Sequence, residues 1–592
     1  MHFYTGQVLR VDLSRHRASI EPLDREWARL YIGGKGLLLR YLYEELPAGS
    51  AGLGPENPLI LATGPFAGTL APTCSRLVIG CKSPATGTIV DSYVGGSFAP
   101  ELKYAGYDLV IVTGRSPDPV VLVIEDERVA FHDAVPRFWG LLTSQVEEAV
   151  RQEFGAQAKT LSIGPAGENQ VPFACISTDQ YHKAGRGGAG AVMGSKNLKA
   201  IVVRGSGGVS VGDMPAFTRD MLQLQRERVL IADNLWAFEE GTAILVDGIN
   251  GGGVLPTRNW KTGHFKAVEQ VNSAALVERK TRNRACAQCP LACRQVHRFR
   301  AGDSEGPEYE TIALCGSNCE IGDLEALGEF NRQCDEFGLD TISSGAVVGL
   351  AMDLSECGMA DFGLRFGEPG AYILAPCLIA TREGVGAELA LGCRELALRY
   401  GRPALAFEVK NLEMPGYDPR GSFGMALAYA TSDRGACHMR GYPVGDEVLA
   451  GTMRPDSLSG KAKYIADAQD FVSFTYSGIW CANWAIDLEG INVHMRHLWG
   501  RELSADELSE IGARIWNLGR VLNLREGVTA AADTIPTAMF TQAHADGPAA
   551  GRTLDPDEFN GALQEYYAVR GWDVAGVPLE STLRRLRVDV VK

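Results

Sequence analysis

Among the 592 residues no Lys/Arg run exceeds a pair, and the balance is acidic, 57 basic against 72 acidic side chains for a net charge of −15. That speaks against a nucleic-acid footprint, which clusters cations to displace counterions from phosphate. No stretch of about 18 residues is apolar without a charge, which excludes a membrane-spanning helix. The start, Met1-His2-Phe3-Tyr4-Thr5-Gly6-Gln7, has no signal-like apolar core and passes directly into the alternation of Leu9, Val11 and Leu13 with Arg10, Asp12 and Arg15. A cytoplasmic chain with neither membrane nor nucleic-acid partners is expected. A GxxxxGK[ST] loop is missing, so P-loop nucleotide hydrolysis has no motif to rest on. Internal repeats and low-complexity tracts are missing as well.

What is present is ordinary globular composition, 45% hydrophobic and 22% charged, over a length that implies about three to four domain-sized units. Glycine is in surplus at 69 residues, the mark of many tight turns or of backbone that approaches a ligand closely. Residues 1 to about 205 read as strands and turns, for example Val120 to Ile124 and Arg128 to Phe131 around Glu125-Asp126-Glu127. Gly205-Ser206-Gly207-Gly208 reads as a linker, which puts a boundary near 208. Helices follow. Asp323 caps an apolar stripe of Leu324, Leu327, Phe330, Cys334 and Phe337 that stops at Gly338, and Ser504 with Glu507 forms a capping box before Leu508, Ile511, Ile515, Leu518 and Leu522. Ala545 to Gly551 reads as a loose loop.

Fourteen cysteines in a chain of this length without an export signal are not expected to form disulfides. Most stand alone in apolar surroundings, as Cys377 does in Leu374-Ala375-Pro376-Cys377-Leu378-Ile379, and read as core thiols. Cys286, Cys289 and Cys293 differ: CxxC followed by a third cysteine gathers three thiolates in a polar, Arg-rich segment. A structural zinc would draw a second pair nearby, whereas a [4Fe-4S] cluster accepts a fourth thiolate from far along the chain, so iron–sulfur is favoured. Spacing alone leaves Cys315, Cys319, Cys437 and Cys481 open as that fourth ligand.

Gly185-Arg186-Gly187-Gly188-Ala189-Gly190 matches GxGxxG, but polar residues rather than a strand precede it, so a phosphate-holding loop is preferred to a dinucleotide site. Gly306-Pro307-Glu308-Tyr309-Glu310-Thr311 and Thr431 to His438 are polar clusters beside glycines. Each alone reads as a turn; together with a metal cluster they offer a carboxylate and an imidazole for acid/base work.

With Gly33-Gly34-Lys35-Gly36, Thr63-Gly64-Pro65, Arg76, Gly95-Gly96, Glu101 to Asp108, Gly164 to Asn169, Met193 to Ile201, Asp335 to Asp340, Glu413 to Arg420, Arg434 to His438, Asn523 to Gly527 and Arg570 to Asp573, these motifs make nearly the whole chain resemble the aldehyde:ferredoxin oxidoreductase family, tungsten enzymes with a bis-pyranopterin cofactor. The resemblance implies an α+β fold: a β-rich pterin-binding base over 1–208, then two mainly α-helical domains over 209–415 and 416–592, the former with the CxxCxxxC motif. It implies that Arg76, Gly95, Gly96, Arg186, Gly187 and Gly188 face pterin phosphates that often share Mg2+, and that Asp335, Gly338, Leu339 and Asp340 bind one pterin. It makes Cys481 the fourth cluster ligand, although the second DxxGLC-type motif is altered here: in Thr475-Tyr476-Ser477-Gly478-Ile479-Trp480-Cys481 the acid is missing and the glycine displaced. Glu329 stands where some members place a subunit-bridging metal ligand, but no histidine lies between His297 and His438, so that bridge is not expected and a homodimer is not assured.

The function so implied is oxidation of a small aldehyde to its acid at tungsten or molybdenum, or the reverse. Glu310 is the expected base, His438 the donor to developing negative charge and Tyr417 the residue orienting substrate. Electrons would pass through the cluster to ferredoxin or another iron–sulfur carrier subunit, docked on Arg279, Lys280, Arg282, Arg284, Arg294 and Arg298. Alternatives are a tungsten-dependent acyl-thioester reductase and a pterin-free iron–sulfur electron-transfer subunit.

Overall fold

Period-two alternation in the front strands sends successive side chains into two different cores. The computed structural model describes residues 1–588. Six strands form a first sheet: β1 (Gln7–Asp12), β2 (Arg17–Pro22), β3 (Leu59–Ala62), β4 (Leu77–Lys82), β5 (Ile89–Val94) and β6 (Leu109–Thr113), in the order β2-β1-β6-β3-β4-β5. Only β1 and β6 run parallel in it. Val8, Ile60, Val78 and Ile111 pack toward the helices Gly34–Glu45 and Ala505–Arg525. Their neighbours Leu9, Leu61, Ile79 and Val110 pack the other way, against Val120, Leu122, Ile201 and Val203 of a second sheet.

That second sheet contains β7 (Val120–Glu125), β8 (Arg128–Asp133), β9 (Lys159–Ser162), β10 (Ile176–Thr178), β11 (His182–Ala184) and β12 (Leu198–Arg204), ordered β11-β10-β9-β12-β7-β8. Its outer residues Val121, Val123 and Val202 are closed over by Val146 and Val150 of the helix Thr143–Phe154. Burial on both faces is why strands such as Leu59-Ile60-Leu61-Ala62 carry no polar residue. The β-rich front and the β7–β8 hairpin are as expected. The helices Gly34–Glu45 and Thr143–Phe154 are additions to the strand-and-turn reading.

Helices dominate the rear. Asp323 accepts from the Glu325 and Ala326 amides at the start of Leu324–Phe337, and Gly338 ends that helix in the left-handed region at φ 76°. Ser504 and Glu507 form the expected capping box on Ala505–Arg525. One continuous core includes Val246, Leu314 and Val347 together with Leu427, Ile465, Trp516 and Tyr566. Cys377, expected in that core, is only half-buried, because its helix turns Pro376, Ile379 and Ala380 inward instead. The rear also holds a small antiparallel sheet of β13 (Lys280–Arg284), β14 (Arg294–Phe299) and β15 (Gly302–Glu305). No helix among the described residues is long and apolar enough to cross a membrane.

Candidate active site

Where the end of β5, the Gly185 loop, the end of Leu324–Phe337 and the segment Arg434–Arg440 meet, two adjoining cavities of about 320 and 690 Å3 share walls at Arg76, Tyr93, Glu310, His438 and Tyr476. Glu310 sits on the first turn after Pro307, and its Oε1 lies 3.3 Å from His438 Nδ1. Neither atom has a hydrogen-bond partner, so the pair faces itself at an angle that leaves both free for a third group. The other carboxylate oxygen accepts the Gly416 amide at 2.9 Å. Burial pushes Glu310 up to about 7, against the pull of that amide and of Arg186. Burial, reinforced by Arg186, Arg434 and Arg440, pushes His438 down to about 3. At neutral pH the imidazole is therefore uncharged, with one N–H to give, while the carboxyl is poised to exchange its proton.

Tyr417 is buried beside this pair, its ring 4.8 Å from Tyr309 and 5.5 Å from His438, and its hydroxyl accepts from Tyr442 at 3.2 Å. The tight Pro415-Gly416-Tyr417-Asp418 turn is held by Asp418, which pairs with Arg420 at 2.7 Å and His544 at 2.9 Å.

The residues expected around a pterin separate into two kinds. Arg76 lines both cavities, resting 5.5 Å over the Tyr93 ring. Asp335 lines the smaller one with Lys183 3.6 Å away, and burial raises its carboxyl to about 6. Gly185, where a Cβ would make only an ordinary contact with Asp340 Oδ1 at 3.8 Å, also faces that cavity. By contrast Gly187 and Gly188 have φ of 89° and 77°, and a Cβ there would meet Val90 at 2.1 Å and the Pro172 carbonyl at 2.0 Å. Protein packing alone demands glycine at both. A Cβ on Gly95 would strike Cys286 Sγ at 2.7 Å and one on Gly96 the Asp179 carboxylate at 2.4 Å, so this turn lets the cysteine loop approach. Asp340 caps the helix Thr341–Glu356 by accepting from the Ile342 and Ser343 amides, and its Oδ2 lies 3.5 Å from Arg186 Nε. Gly338 supplies the left-handed turn and Leu339 is buried behind it. Arg186 donates to the Ala436 carbonyl at 2.7 Å and to the Glu413 carbonyl.

One expectation about this loop is corrected. A strand, β11, does precede Gly185, and the helix Ala189–Ser195 follows. Yet β11 pairs antiparallel with β10, which is not the parallel βαβ setting of a dinucleotide site.

Cys286, Cys289 and Cys293 lie on the turn between β13 and β14, and Cys481 follows the helix Lys461–Gly478. Cys286, Cys293 and Cys481 border the same cavity, and Cys481 acts electrostatically on all three partners, whose thiols are raised chiefly by burial. Among the described residues no three such side chains close round a point that could hold one metal ion. The other cysteines left open by spacing are elsewhere: Cys315 and Cys319 contact backbone carbonyls at Thr341 and Gly345, and Cys437 accepts from Arg434 at 3.0 Å. The expected docking patch is largely neutralised. Arg279 pairs with Glu325, Arg294 with Glu305 and Glu308, and Arg282 and Arg298 with Asp303. Glu329 is taken by Arg332.

Sequence reasoning missed a buried ion cluster beneath the site. Asp91 on β5 holds Lys35 at 3.0 Å and also Arg440, whose Nε lies 3.1 Å from Asp433. Arg440 and Tyr476 also line the smaller cavity, and Arg186 Nε, Arg434 Nε and Arg440 Nη1 are buried with no hydrogen-bond partner. Buried donors left without acceptors are costly. An anionic ligand with several acceptor atoms would satisfy all three.

A family model described as the N-terminal domain of aldehyde ferredoxin oxidoreductase matches residues 8–205, and one described as its domains 2 and 3 matches residues 225–588. The chain is 39% identical to a tungsten-containing aldehyde ferredoxin oxidoreductase of Pyrococcus furiosus and likewise 39% identical to one of Thermococcus kodakarensis, each over 97% of both chains. Among solved structures, the active-site complex of benzoyl coenzyme A reductase with 1,5-dienoyl-CoA shares the fold at a TM-score of 0.84 and 23% identity, covering 99% of this chain and 97% of that one.

Proposed function

The chain belongs to the aldehyde ferredoxin oxidoreductase family, and from that premise we propose that it oxidises aldehydes to carboxylic acids at a tungsten bis-pyranopterin, RCHO + H2O → RCOOH + 2H+ + 2e−. The observation that carries the reading is the buried Glu310–His438 pair at 3.3 Å beside a cavity lined by unsatisfied guanidinium donors. Arg76, Arg186, Arg434, Arg440 and Asp335 would hold the pterins and their phosphates, with Mg2+ as a shared counterion, and Cys286, Cys289, Cys293 and Cys481 a [4Fe-4S] cluster. When bound, the cofactor supplies the two-electron acceptor, and the cluster passes those electrons on singly to ferredoxin or a similar carrier.

The protein's part is proton handling and placement. Glu310 takes a proton as water is activated for attack on the aldehyde carbon. Neutral His438 donates its N–H to the oxygen on which negative charge develops. Tyr417 closes the pocket, its ring packed at a tilt of 45° against the His438 ring. Elemental analysis of the purified protein tests the cofactor assignment: about one tungsten and four iron per chain are expected, and iron without tungsten or molybdenum would leave an electron-transfer subunit instead. Viologen-dye reduction with aldehydes tests the activity.

A further inference from the structure

The run Trp480-Cys481-Ala482-Asn483-Trp484-Ala485-Ile486 is apolar but for one carboxamide, Asn483. Its backbone is pinned as a turn: the Cys481 amide donates to the Thr73 carbonyl at 3.1 Å, the Trp484 amide returns to the Cys481 carbonyl at 3.2 Å, and Trp484 Nε1 donates to the Arg228 carbonyl at 3.2 Å. That turn carries Asn483 across to the cysteine hairpin, 190 positions earlier in the chain, where its Nδ2 donates to Cys293 Sγ at 3.4 Å. Asn483, Cys286, Cys293 and Cys481 all border one cavity. A second nitrogen, His182 Nε2, stands 3.9 Å from Cys286 Sγ, a looser contact. Cys293 has the greater need of a donor. Glu308 adds negative charge beside it, and the neighbouring cation Arg294 is already held by Glu305 at 2.9 Å and by Glu308 at 2.6 Å. A neutral amide dipole is what remains to balance negative charge on that buried sulfur.

We propose that Asn483 tunes the redox centre: its N–H···S bond to Cys293 raises the reduction potential of the iron–sulfur cluster by stabilising the form that carries the extra electron. The inference rests on the cluster ligands proposed above. Uptake of one electron makes and breaks no bond but puts more negative charge on the thiolate sulfurs, so a donor already aimed at one of them is worth more after the electron arrives than before. A cluster so poised accepts electrons from aldehyde oxidation more readily and gives them to a low-potential carrier less readily, which favours oxidation over acid reduction. Asn483 touches neither substrate nor reacting atoms. It is a positioning residue that acts through Cys293.

The test is a potentiometric titration of the purified holoenzyme, followed by the EPR signal of the reduced cluster, with iron counted in every sample. Asn483→Leu keeps the side chain's shape and removes the donor. At the wild-type midpoint its ratio of reduced to oxidised cluster should fall about three- to tenfold, the net worth of one hydrogen bond. Asn483→Gln retains the amide and should bring the ratio back towards wild type. A Leu variant with its full complement of iron and an unchanged midpoint overturns the proposal, and so does a Gln variant as low as the Leu one. Loss of iron from both Asn483→Leu and Asn483→Ala would make the amide a strap between two loops and overturn the tuning role as well. A wild-type chain that holds no cluster iron overturns the ligand reading itself, and this inference with it.

Discussion

Gly338 and Ile479 hold the same place in two copies of one helix ending. Each is the left-handed residue after a long helix, at φ 76° and 65°, and each gives its N–H to the carbonyl four residues back, Cys334 and Thr475. The next residue, Leu339 or Trp480, returns its amide to that same carbonyl and is buried. The residue after that is Asp340 in one copy and Cys481 in the other. Asp335 and Tyr476 stand at equivalent positions three residues before the turn. The phenol of Tyr476 thus replaces the acid, its ring 4.4 Å from Tyr93 and under Arg440. Gly478 is displaced by one residue because a Cβ there would sit 2.0 Å from the Trp480 ring.

A β-branched residue in the left-handed region carries about 1–2 kcal/mol of strain. Ile479 is nonetheless fully buried, its side chain filling the space beside Gly34 and Gly64, and removing such a side chain costs about 2–5 kcal/mol. Burial wins. Ile479→Gly is expected to lower the unfolding temperature despite relieving the backbone, as scanning calorimetry would register; a rise would mean that strain dominates.

For Glu310, raised from 4.5 to about 7, the ionised form is the base, so kcat/KM should climb with pH and level off above 7. His438, held near 3, adds no second limb between pH 5 and 9. Glu310→Gln should lower turnover by about 10²- to 10⁴-fold and abolish the limb. Stability moves the other way. A carboxyl whose folded pKa lies above its unfolded value stabilises less as pH rises from 4.5 through 7, so the Gln variant should unfold at higher temperature than wild type at pH 8.

Cys481→Ala should strip the chain of iron and of its low-potential EPR signal. Cys437→Ala, a cysteine equally available by spacing but bonded to Arg434, should retain both. Retention of iron in the first variant removes Cys481 from the ligand set.

Gly188→Val would put its Cβ 2.0 Å from the Pro172 carbonyl at a φ of 77°, which predicts a distorted loop. The unfolding temperature should drop equally in cofactor-loaded and cofactor-free protein. A drop confined to the loaded form would mean that the ligand, not Pro172, fills that space.

Periodic signals carried the architecture. The alternation around Leu9, Val11 and Leu13, the stripe from Leu324 to Phe337 and the Ser504–Glu507 box depend on near neighbours, and all three appear where they were expected. The Gly34–Glu45 helix escaped because it opens on Gly34-Lys35-Gly36, and glycine disfavours a helix; Gly36 is there because a Cβ would strike the Tyr31 carbonyl at 2.2 Å. The cysteine hairpin was hidden by its polarity, since β13 is paired in a small sheet rather than buried between layers.

The sequence by itself determined the β-rich front, the helical rear, the cysteine triplet and the identity of Glu310 and His438 as candidate partners, because local spacing and ordered motifs encode these. Only tertiary structure decided that Glu310 and His438, 128 positions apart in the chain, approach to 3.3 Å, that Gly187 and Gly188 answer to Val90 and Pro172, and that Asp91, Asp433 and Arg440 share one buried cluster. Burial is the physical reason. It shifts a carboxyl and an imidazole in opposite directions and makes an unpartnered guanidinium costly, and it exists only once residues distant in sequence have excluded water together.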